Sequence, residues 1–71
     1  MVIDVYRLKE DIKDIMLGDK SATYISNLLG VSFSYIVNIL NRKVECSKVM
    51  AWAIVKCLDY KNEVIEYFDE V

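Results

Sequence analysis

No proline interrupts this chain, and its two glycines each follow a run of apolar residues spaced as on a helix. Proline and glycine are the strongest local punctuation a sequence carries, so their scarcity favours short helices joined by tight turns. In the first run Val5, Leu8, Ile12, Ile15 and Met16 recur at helical spacing, and Gly18 follows as a stop. The second run, Ala22–Leu29, has Ser21 before it as a cap and Gly30 behind it. Glycine takes the left-handed conformation of a tight turn without steric cost. Ser32 is placed to cap a third helix, Phe33–Asn41, and Ser47 a fourth, Lys48–Leu58, which carries Val49, Met50, Trp52, Ala53, Ile54 and Cys57. Asn62 is placed to cap a short last helix with Val64, Ile65, Phe68 and Val71 on its apolar side. The pattern predicts an all-α fold, five helices in a single domain over residues 1–71.

Composition narrows the function. There is no histidine, which removes the commonest general base and the commonest metal ligand. The cysteines, Cys46 and Cys57, do not suffice for a structural zinc site. Without a signal peptide they are expected to be cytosolic thiols, Cys57 buried in an apolar run and Cys46 more exposed. No convergent acid pair, glycine-rich phosphate loop or metal cluster is visible, so no enzyme, no cofactor and no small-molecule substrate is expected. The longest apolar stretch, Val49–Val55, falls far short of the about 20 residues of a membrane span, so no membrane partner and a cytoplasmic location are expected.

Net charge is −2, but its distribution is uneven. Residues 1–19 hold three bases and five acids. Residues 20–56 hold Lys20, Arg42, Lys43, Lys48 and Lys56 against Glu45 alone. Residues 57–71 hold Lys61 against five acids. A basic centre between acidic ends is a local electrostatic footprint that the bulk charge conceals.

That basic centre contains the most informative stretch, Ser21–Lys43. It reads as helix, glycine turn, helix, with Ile25, Leu29, Val31, Ile36 and Ile39 as a shared apolar inner face and Ser26 as the small residue where the helices cross. Gly30 follows Ser26 by four residues and Ile36 follows Gly30 by six. In this register the chain resembles the phage Cro/cI-like, or lambda-repressor-like, family of helix-turn-helix domains over nearly its whole length. Ser26 stands where that family usually has alanine. Cys46–Val49, with Trp52–Val55 and Cys57-Leu58, looks like the family's fourth helix, and Asp59 stands where its glycine usually follows.

The resemblance implies a transcriptional regulator, a repressor that binds double-stranded DNA with the second helix of the motif in the major groove. Carried over, the base-contacting positions are Ser32, Phe33, Ser34, Val37, Asn38 and Asn41. Ser34, Asn38 and Asn41 share one helical stripe. Asparagine is suited to adenine, and Phe33 and Val37 to thymine methyl groups. The phosphate-contacting positions are Lys20, Ser21, Thr23, Tyr35, Arg42, Lys43 and Lys48. Their plainer readings are caps for Ser21, Ser32 and Ser47, and a helix C-terminus stabilised by Arg42 and Lys43. Trp52 is expected in the core, Tyr60 and Tyr67 as half-buried aromatics.

Phe33, Val37 and Leu40 form an apolar stripe along the same helix, where DNA readers commonly carry glutamine, arginine or lysine. An exposed apolar stripe is also the mark of a protein-binding helix. The alternative is therefore a modulator of the same fold that docks on a partner regulatory protein, antirepressor-like, through Phe33, Val37 and Leu40. A single module buries limited surface, so a homodimer on two half-sites is expected with the DNA reading. Val64, Ile65, Tyr67, Phe68 and Val71 either form that dimer contact or close the core of the monomer.

Overall fold

A computed structural model of the protein describes residues 5–58 and 61–71. The corner at Asp59 and the aromatic Tyr60 lie outside the described residues. The elements in order are β1 (Val5–Leu8), α1 (Lys13–Leu17), α2 (Ala22–Leu29), α3 (Phe33–Leu40), β2 (Cys46–Ser47), α4 (Lys48–Leu58), α5 (Val64–Tyr67) and β3 (Phe68–Glu70). The all-α expectation is overturned. Among the described residues five helices accompany a three-stranded antiparallel sheet with strand order β2-β1-β3.

The sheet replaces the outer turns of the expected first and last helices. Val5-Tyr6-Arg7-Leu8 alternates sides as a strand, with period two. Tyr6 lies opposite Cys46 on one neighbour and Glu70 on the other, and Leu8 opposite Phe68. Backbone bonds from Lys9 N–H to Tyr67 O (2.8 Å) and from Val71 N–H to Val5 O (2.7 Å) extend the β1–β3 ladder at both ends. Leu8, Cys46 and Phe68 are buried against the helices. On the other face Arg7 bonds Glu45 at 3.0 Å. Lys9, just past the strand, pairs with Asp69 at 3.2 Å. Such exposed pairs contribute about 0.2–1 kcal/mol each, so burial of Leu8 and Phe68 dominates the pairing.

A helix over residues 5–16 is broken at Asp11, whose φ of 60° is left-handed. Aspartate is one of the few residues that tolerates this conformation. What remains is α1, five residues ending at Gly18. Its Met16 is buried, whereas Ile15 is 70% exposed. At the other end Asn62 is not a cap. Its side-chain amide donates to the Tyr67 hydroxyl, and Glu63 occupies the cap position with no side-chain bond.

The three central helices have simpler causes. The hydroxyls of Ser21, Ser32 and Ser47 accept from the backbone N–H of Tyr24 (3.3 Å), Tyr35 (3.4 Å) and Met50 (3.2 Å), each three residues on. Gly30 closes α2 at φ 70°. The core is Ile25, Ile36, Ile39, Ala51, Ile54, Val55, Leu8 and Phe68, all at 0–1% exposure, with Met16, Leu40 and Cys46 close behind. The expected order of the cysteines is reversed: Cys46, on β2 opposite Tyr6, is buried, and Cys57 is half-buried. Trp52 is not in the core but 54% exposed. No helix among the described residues is long and apolar enough to cross a membrane.

Phe68→Ala removes the largest fully buried side chain and should cost about 3–5 kcal/mol. A domain of this size holds only roughly 4–10 kcal/mol in total. Urea unfolding followed by circular dichroism should therefore find it largely unfolded at low denaturant, while Ile65→Ala, on an exposed side chain, shifts stability by no more than about 0.5 kcal/mol. A wild-type midpoint for Phe68→Ala would remove β3 from the core. Burial also pushes the Cys46 thiol up to about 11. The unfolded thiol ionises near its ordinary value while the folded one stays protonated, so this contribution is intact below about pH 9 and is lost as pH rises toward 11. The fall in melting temperature over that interval should be smaller in Cys46→Ala than in wild type, and an equal fall would contradict the burial.

Candidate nucleic-acid interface

The interface is built on the α2–Gly30–α3 unit. Ser26 lets the helices approach: it is buried and its hydroxyl donates to the Thr23 carbonyl at 3.0 Å, which satisfies it without a partner outside α2. The inner side of α3, Ile36, Ile39 and Leu40, is buried. Its remaining side therefore faces solvent.

Along that side Ser32, Phe33, Ser34 and Asn41 are exposed, while Val37 and Asn38 are half-buried. Ser34, Asn38 and Asn41 thus keep the polar stripe expected of them. Leu40 leaves the apolar stripe: it is 5% exposed and belongs to the core. The protein-docking face expected of Phe33, Val37 and Leu40 is thereby reduced to Phe33, 53% exposed, and Val37. Val37 and Leu40 instead line a trough of about 230 Å³ with Lys13 and Leu17 of α1, Ala22 of α2 and Asn41.

The end of α3 is tightly specified. Lys43 N–H bonds the Asn38 carbonyl at 2.9 Å and Arg42 N–H bonds the Ile39 carbonyl at 3.1 Å. These two bonds form a Schellman cap with Arg42 at its left-handed position, φ 61°. A non-glycine residue there costs about 1 kcal/mol. Arg42 meets that cost with its side chain as well, since Nε donates to the Leu8 carbonyl at 2.9 Å. The guanidinium therefore both anchors α3 to β1 and stays exposed beside Lys43.

One polar contact was not legible in the sequence. Lys13 of α1 donates through Nζ to Asn41 Oδ1 at 3.3 Å. That bond occupies Asn41 Oδ1 and leaves Nδ2 as the amide's donor. Asn38 has no such partner among the described residues and keeps a donor and an acceptor available. The two asparagines on one stripe thus differ in what they can recognise: Asn38 retains the two-point geometry that suits adenine, and Asn41 favours acceptors. Lys13 and Asn41 are 28 residues apart, and no local pattern marks the pair.

The other expected phosphate positions divide. Lys20 is exposed, with its ammonium 4.8 Å from the centre of the Tyr24 ring. Ser21 is occupied as a cap, Thr23 is exposed, and Tyr35 is half-buried against the core. Lys48 lines a different groove, beside Trp52 and α5. Of the expected dimer residues, Ile65 and Val71 are exposed, Val64 and Tyr67 pack against the core, and Phe68 is inaccessible. Phe68 closes the monomer and is withdrawn from any dimer contact.

No family model matches the chain, and no curated protein or solved structure is similar to it.

Proposed function

We propose that the protein is a sequence-specific DNA-binding regulator, a repressor that acts by occupying its site, with α3 in the major groove. The observation that carries this reading is the division of α3 into two sides. Ile36, Ile39 and Leu40 are committed to the core, and the solvent side presents Ser34, Asn38 and Asn41 in line. A helix held rigidly from behind, with short polar groups in front, suits the reading of base edges. Arg42 and Lys43 lie exposed just past its C-terminal end and Lys20 lies exposed ahead of α2, where phosphate contacts would fix its register without reading sequence. The α3 helix carries no arginine for the two-point contact to guanine, so an A·T-containing site is favoured.

The alternative partner, a regulatory protein docked on Phe33 and Val37, draws support from the exposure of Phe33 and loses Leu40.

Selection from a random duplex library separates reading from positioning. Asn38→Ala should relax preference at one base pair, with a loss of about 1–3 kcal/mol on the selected site. Lys43→Ala should weaken binding on every duplex and lower the salt dependence by about one phosphate contact. An unaltered base preference in Asn38→Ala would remove α3 from the groove. Enrichment of no sequence by wild type, together with a partner protein whose binding is lost in Phe33→Ala, would replace the DNA reading with the alternative.

A further inference from the structure

A feature that DNA binding leaves unused lies beside α4. Trp52, the single tryptophan, is 54% exposed, Val49 on the preceding turn and Ile65 on α5 are each 75% exposed, and Val71 is 65% exposed. Tryptophan is the side chain most often found as an interface anchor. It borders an open groove of about 420 Å³ that Tyr6, Val64 and Ile65 also line.

We infer that this groove is the seat of a second copy of the chain, in a two-fold dimer in which each Trp52 enters the groove of its partner. Charge selects this occupant. The groove is lined by Lys48, at the start of α4, and by an acidic wall of Glu63, Asp69 and Glu70, around α5 and β3. A two-fold interface sets one patch against itself, so it is stable only when the patch is self-complementary. Rotation about such an axis places Lys48 of each copy over the acidic wall of the other. The ion pairs among the described residues are Arg7–Glu45 and Lys9–Asp69. Lys48, Glu63 and Glu70 take part in neither. The anchor thus falls on Trp52 of α4 and on Ile65, with Phe68 excluded by its burial.

The inference does not rest on the DNA reading, and its test uses the full chain without DNA. Sedimentation velocity from about 1 to about 200 μM should show the mass doubling with concentration, within the micromolar range of a small interface. The emission of the single tryptophan should move to shorter wavelength over the same range as the indole leaves water. Lys48→Glu and Glu63→Lys should each remain folded by circular dichroism and weaken association at least tenfold, because each sets like charges opposite one another twice. An equimolar mixture of the two should dimerise again, since both pairs between positions 48 and 63 across its interface are then of opposite sign. Trp52→Ala should be monomeric throughout. A wild type that stays monomeric over the whole range overturns the inference. So does a Trp52→Ala variant that associates like wild type, or a mixture of folded charge variants that stays monomeric.

Discussion

The pairing of the two ends of the chain, β1 with β3 through Leu8 and Phe68, is the contact on which the rest of the molecule depends. The central helices bring isoleucines 25, 36, 39 and 54 together, but a chain of 71 residues has few apolar groups to cover them. Residues of this kind at the two ends would each form at most a turn or two of exposed helix. Laid side by side as strands, they satisfy each other's backbone and present Leu8, Phe68 and Cys46 to the helices as one covering face. Small domains bury a modest fraction of their surface, and a cover made from both termini is an economical way to close a core.

The same strand fixes the helix proposed to read DNA. The guanidinium of Arg42 bonds the carbonyl of Leu8, the residue that pairs with Phe68. The Schellman bonds from Arg42 and Lys43 then set where α3 stops. From β3 through β1 to the end of α3 there is a continuous series of backbone and side-chain bonds, so the orientation of Asn38 and Asn41 depends on the packing of the termini. Lys13, on the segment joining β1 to α2, adds a second hold on Asn41.

The legible part of the fold was the part with local causes. The serine caps at 21, 32 and 47 and the glycine at 30 act within four residues, and the α2 and α4 boundaries follow from them. The strands have non-local causes. Leu8 and Phe68 sit 60 positions apart, and short apolar runs such as Val5–Leu8 satisfy both a helical and an alternating template. The left-handed Asp11 that separates β1 from α1 has no marker as strong as a glycine. At the candidate site, spacing alone puts Ser34, Asn38 and Asn41 on one line of α3. The burial of Leu40, the exposure of Trp52, the reversal of Cys46 and Cys57 and the Lys13–Asn41 contact were not readable in this way, because each depends on which distant element packs where.

The proposed role of α3 and the cations around it is to hold a DNA duplex. Fluorescence anisotropy of a labelled duplex from around the protein's own gene tests it most directly, at about 50 and 200 mM salt with random DNA as control. About three phosphate contacts, from Lys20, Arg42 and Lys43, release counterions on binding, so affinity should fall roughly 40-fold between the two salts. Its preference over random DNA should persist at both. Absence of binding at the lower salt, or affinity independent of salt and sequence, would contradict the account.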